Sequence, residues 1–172
     1  DPIRIIYIWE GGMSFHGGFL GVLISGILFG IRRKINLLSL GDLIAFSSPP
    51  GLFFGRIANF INGELWGKPT TSKFGIQFTK GQGQFCPTTT ELTCFRHPSQ
   101  LYEAFFEGIV LMLIFYYLVF FSRALKKPGI IFGSFLLGYG VIRFSIEFLR
   151  EPDSFFITNE NPYGYVIEFL PG

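Results

Sequence analysis

Four apolar stretches constrain this chain more than any motif in it: roughly Phe15 to Ile31, Leu40 to Ile61, Leu101 to Phe121, and Gly129 to Phe148. A helix needs about 20 such residues to cross the hydrocarbon of a bilayer, and inside lipid every backbone N–H and C=O must find its partner within the protein. The fold class that follows is an all-α integral membrane protein with four transmembrane helices. Composition agrees, since 49% of the 172 residues are hydrophobic and 15% are charged, too few charges to solvate a folded surface in water. A net charge of +2, spread over short connectors, offers no basic face to nucleic acid. Membrane lipids are the expected surroundings.

Arg32-Arg33-Lys34 joins the first span to the second, and Arg123 with Lys126-Lys127 joins the third to the fourth. Basic short loops stay cytoplasmic, so the amino-terminal segment, the loop of residues 62–97 and the tail after Arg150 are expected on the other side. That places a multi-pass protein in a bacterial inner or plasma membrane, with a loop of mixed structure on its periplasmic or extracellular face. The chain reads as a single membrane domain, residues 1–172, and its limits, Asp1 and Leu170-Pro171-Gly172, read as those of a fragment. Cys86 and Cys94 can form one disulfide if their loop faces an oxidising compartment, which the sequence alone leaves open. Neither they nor the histidines and carboxylates have metal-ligand spacing, so no metal and no cofactor is expected.

Glycines four apart, Gly17 and Gly21, Gly26 and Gly30, Gly129 and Gly133, predict close helix packing. Ser47-Ser48-Pro49-Pro50-Gly51 predicts a kink or break in the second span, because proline removes a donor and clashes with the preceding turn.

Charge inside the spans is the functional signal. His16 opens the first span, Arg56 lies near the end of the second, Glu103 and Glu107 open the third, and Arg143 and Glu147 lie near the end of the fourth. With the basic loops cytoplasmic, all these ends face outward. Each central charge costs about 2.5–3.5 kcal/mol on insertion scales, so a cluster of them points to a polar chamber. Tyr139, Arg143 and Glu147 share one helix face, as do Arg56, Asn59 and Gly63. The plainer readings are an Arg143–Glu147 pair that satisfies itself, and interfacial solvation for Glu103 and Glu107.

Four blocks stand in order along the chain: Met13-Ser14-Phe15-His16-Gly17-Gly18, Gly55 to Gly67 (GRIANFINGELWG), His97-Pro98-Ser99-Gln100-Leu101-Tyr102-Glu103, and Gly138-Tyr139-Gly140-Val141-Ile142-Arg143 with Glu147. Together they resemble the prolipoprotein diacylglyceryl transferases, and the second block is that family's hallmark. The resemblance implies a seven-helix body, of which this chain would supply the third to sixth helices, with a cavity open to the outer leaflet. It implies transfer of the diacylglyceryl group of phosphatidylglycerol to the lipobox cysteine of a preprolipoprotein signal peptide, forming a thioether and releasing glycerol 1-phosphate. The lacking helices, two before and one after, mean that a chain of this extent can be inactive alone.

The chemistry needs a thiolate, stabilisation of the departing phosphate, and alignment of the two. Arg56 and Arg143 suit the phosphate, because a planar guanidinium can make paired hydrogen bonds to its oxygens. His16 is the expected general base, its ordinary pKa being near neutrality. Asn59 and Tyr139 are expected to donate to the lipid headgroup, Glu147 to hold Arg143, and Gly67 to permit a turn or a close approach to lipid. Glu64, Trp66 and His97 are assigned to the turn, to interfacial anchoring and to helix capping. A small transporter or lipid-binding channel is the competing reading from a different class, and a purely structural subunit is the third.

Overall fold

The computed structural model of the chain describes residues 15–78 and 94–151, and of Phe15 and His16 only the backbone. Its order is α1 (Phe15–Arg33), α2 (Leu37–Asn62), β1 (Ile76–Gln77), β2 (Phe95–Arg96), α3 (Ser99–Phe120), a 3₁₀ turn (Ala124–Lys126) and α4 (Ile130–Glu147). α2, α3 and α4 are each long and apolar enough to cross a membrane. α1 covers the expected first span and packs against α2, with most of its surface exposed.

Local chemistry explains the helix ends. Arg32 and Arg33 occupy the last turn of α1, where the helix dipole favours cations. Asn36 caps α2, its side-chain oxygen accepting from the N–H groups of Leu38 (2.9 Å) and Ser39 (3.3 Å). Gly63 closes α2 in the left-handed region at φ 69°, which a Cβ would strain.

α2 is not broken at Pro49-Pro50; the helix runs through both. The Ser47 and Ser48 hydroxyls donate to the Ile44 carbonyl at 2.9 and 2.8 Å, one residue before Ala45 and Phe46, whose carbonyls the prolines leave without an i+4 donor.

α3 is not uniform. An α-helical turn, Ser99–Glu103, leads into a π-helical segment, Ala104–Val110, before α-helix resumes at Leu111–Phe120. Extended π-helix is rare and collects at functional sites. Gly108, inside this segment, meets α2 so closely that a Cβ there would lie 2.6 Å from the Phe53 Cβ. Of the predicted glycine pairs, Gly21, Gly26 and Gly133 have nothing within 4 Å of a built Cβ, whereas a Cβ on Gly30 would lie hard against the Leu37 side chain of α2, and one on Gly129, at φ +94° ahead of α4, would stand 3.5 Å from Leu38. The close α2–α3 contact falls on a glycine with no partner four residues away.

A small core of Ala45, Leu111, Phe115, Ala124 and Ile131 ties α2, α3 and α4 together at the basic-loop end, with Phe135 and Tyr139 packed against it. Asp42 is buried beside it and accepts from the backbone N–H of Gly129 at 2.7 Å and of Phe132 at 2.8 Å, joining α2 to the start of α4. Outward, Leu113, Leu137 and Phe144 are 59%, 71% and 65% exposed, a surface that lipid rather than water satisfies.

At the opposite end β1 pairs antiparallel with β2, Ile76 opposite Arg96 and Gln77 opposite Phe95. Cys94, just before β2, is disulfide-bonded; Cys86 lies outside the described residues.

Candidate active site

The loop after α2 is built on buried polar anchors from the start of α3. Ser99 Oγ donates to the Leu65 carbonyl at 3.0 Å, and Gln100 Nε2 donates to the Glu64 carbonyl. Both side chains are fully buried, and Leu65 is held at φ 56°, an unfavourable conformation for a branched residue. Thus His97-Pro98-Ser99-Gln100 folds onto Glu64-Leu65-Trp66-Gly67, which the sequence showed only as two separate blocks.

Gly67 lies inside this knot. Its N–H donates to the His97 carbonyl at 2.9 Å, and a Cβ would sit 2.6 Å from that oxygen and 2.7 Å from the Leu149 carbonyl oxygen. The close approach it permits is to protein backbone, where the sequence reading had lipid as one option. Arg96, buried, closes the same region: Nη1 donates to the Gly67 carbonyl at 3.2 Å and pairs with Glu151 at 3.1 Å, while its guanidinium carbon lies 5.8 Å from the Trp66 ring centroid. His97 Nδ1 stands 3.4 Å from the Tyr102 hydroxyl.

Below this knot the arginines meet. Arg56 comes from α2 and Arg143 from α4, and both touch the carboxylate of Glu103 on α3: Arg56 Nε lies 3.0 Å from Oε2, and Arg143 Nη1 donates to Oε1 at 3.0 Å. Arg56 also donates from Nε and Nη2 to Glu107 Oε2, each at 3.3 Å. Arg143 Nη2 pairs with Glu147 Oε2 at 2.7 Å. Glu103 and Glu107 are fully buried, whereas the side chain of Glu147 is half exposed. Among the described residues, two guanidiniums therefore face three carboxylates, two buried and one at the edge.

Of the predicted residues, Arg56, Arg143 and Glu147 are brought together. Tyr139 stacks on Phe135 at 5.6 Å between centroids. Asn59 is half-buried one turn beyond Arg56, its carbonyl accepting from Glu64 N–H at 2.9 Å in the cap of α2. Gly67 stands apart in the knot. The side chain of His16 lies outside the described residues, its backbone being the second residue of α1.

Interfacial solvation of Glu103 and Glu107 is overturned, because both are sealed against arginine. The signal was present: two arginines within apolar helices need more counter-charge than Glu147 supplies. Asp42, Arg96, Ser99 and Gln100 carried no such signal, since each acts through contacts distant in sequence.

A prolipoprotein diacylglyceryl transferase family model matches residues 1–167 of this chain. The chain belongs to that family. Among curated relatives, the phosphatidylglycerol–prolipoprotein diacylglyceryl transferase of Cereibacter sphaeroides (strain ATCC 17025) is 53% identical over 167 residues, covering 97% of this chain and 57% of the relative. The transferase of that name from Ruegeria pomeroyi is 50% identical over 164 residues, 95% of this chain and 55% of the relative. That from Caulobacter vibrioides (strain NA1000) is 51% identical over 158 residues, 88% and 51% respectively. The chain thus spans about half the length of the curated relatives it matches. Family membership covers all four sequence blocks, and the arginine–glutamate cluster joins three of them.

Proposed function

We propose that this chain forms the catalytic part of a phosphatidylglycerol–prolipoprotein diacylglyceryl transferase, carrying four of seven membrane helices in a bacterial inner or plasma membrane, with its site toward the periplasmic or extracellular side. The observation that carries this is the convergence of Arg56 and Arg143, from two different helices, on one buried carboxylate. Two fixed guanidiniums at the end of the spans away from the basic loops are what a lipid phosphate needs.

In this reading phosphatidylglycerol approaches from the outer leaflet and its phosphate replaces Glu147 on the exposed edge of Arg143. The lipobox cysteine of the preprolipoprotein attacks as thiolate. A sulfur–carbon bond forms at the glyceryl carbon as the carbon–oxygen bond to phosphate breaks, and the electron pair leaves with glycerol 1-phosphate. His16 takes the thiol proton, and Asn59 and Tyr139 donate to the headgroup. The arginines offset the charge that builds on the leaving phosphate, and that is where they lower the barrier. The reaction needs no cofactor.

The test is mass spectrometry of a lipobox peptide incubated with phosphatidylglycerol membranes holding the full-length protein. A diacylglyceryl mass on the cysteine is expected; solute flux with no covalent product would support the transporter reading and overturn this one.

A further inference from the structure

The two arginines do not face each other across open space; one side chain stands between them. Glu103 accepts a hydrogen bond from Arg143 Nη1 on Oε1 at 3.0 Å, and its Oε2 lies at ion-pair distance, 3.0 Å, from Arg56 Nε, whose N–H donates to Glu107. The two oxygens belong to one rigid plane, so the carboxylate sets how far apart the two guanidiniums lie. Their other partners differ. Arg56 is held from behind by Glu107, which is fully buried, and Arg143 is met on its outer side by Glu147, which is half exposed. Among the described residues Glu103 alone pairs with both.

Its own backbone is fixed from two directions. It closes the α-helical turn whose Ser99 and Gln100 are tied to the loop carbonyls of Leu65 and Glu64. It then leads into the π-helical segment, which Gly108 lets lie directly against Phe53 of α2. A carboxylate with no exposure, on a backbone anchored at both ends, is poorly placed to bind an incoming lipid and well placed to aim groups that do.

We propose that Glu103 is the positioning residue of this site: it touches no substrate, and it orients Arg56 and Arg143 together so that both meet one phosphate. This rests on the transferase reading. A bare counter-ion would need only its charge, whereas a positioning residue needs its charge at a given reach. The geometry therefore separates two substitutions. Glu103→Asp keeps the charge but withdraws the oxygens by one methylene, so they no longer span both guanidiniums; Glu103→Gln keeps the reach and loses the charge.

The experiment measures diacylglyceryl transfer to a lipobox peptide by the full-length protein in phosphatidylglycerol membranes, with kcat and KM for the lipid determined separately and thermal unfolding run in parallel. Glu103→Asp is expected to fold and to lose about a hundredfold in kcat, the scale of a misplacement of about 1 Å, with a much smaller change in KM. In an Arg143→Lys background the same change is expected to cost far less than it does alone, because the geometry it protects is already gone. Wild-type kcat in Glu103→Asp, or full additivity with Arg143→Lys, overturns the inference. If Glu103→Gln fails to fold, the aspartate variant still decides the matter. A wild-type protein that makes no thioether overturns the transferase reading and this inference with it.

Discussion

Gly108 of α3 and Phe53 of α2 approach so closely that a Cβ on the glycine would stand 2.6 Å from the phenylalanine Cβ. This contact lets the carboxylates at positions 103 and 107 reach Arg56 across the interface. Gly108→Ala is expected to lower stability by about 1–3 kcal/mol through overpacking, more than the roughly 1 kcal/mol alanine gains in helix propensity. Thermal unfolding in detergent should show the loss, and transfer should fall with it. An unchanged midpoint would mean that the helices have room to spare.

Arg143→Lys and Arg56→Lys separate charge from shape. Lysine keeps the positive charge but cannot hold two acceptors at the angle a guanidinium fixes. Each variant is expected to fold and to lose at least about tenfold in kcat/KM, measured with labelled phosphatidylglycerol. Retained transfer in either would show that a point charge suffices there.

Asp42→Ala should weaken the protein without touching the chemistry. The substitution leaves the N–H groups of Gly129 and Phe132 at the start of α4 without their carboxylate, a loss of about 1–3 kcal/mol. Midpoint and turnover are read on the same sample: the first should drop, and turnover per folded molecule should hold. A drop in turnover with no change in midpoint would place Asp42 in the reaction instead.

Gly67→Ala forces a Cβ to within 2.7 Å of two backbone oxygens, neither of which is free to swing aside. Loss of folding at the β1–β2 end is the expected result, seen as faster hydrogen exchange at Leu65–Gly67 and His97. Normal exchange there with lost transfer would argue that Gly67 contacts the lipid after all.

Gln100→Ala probes the same knot from the other side. Removing the amide that holds the Glu64 carbonyl should release the loop, again by about 1–3 kcal/mol locally, with exchange rising at Leu65 and staying low around Phe115.

The sequence by itself determined the membrane helices, because apolar length is a local property: the predicted spans from Leu40, Leu101 and Gly129 coincide with α2, α3 and α4 to within three residues at either end. It also determined the pairing of Arg143 with Glu147, four residues apart on one helix. Tertiary structure decided what no local pattern could: that α2 passes Pro49-Pro50 unbroken, that Gly67 is wedged against His97 and Leu149, and that Glu103 stands between Arg56 and Arg143. The physical reason is the same in each case. Burial, clash and charge pairing depend on which distant residue arrives opposite, and only the packing of α2, α3 and α4 against one another sets that.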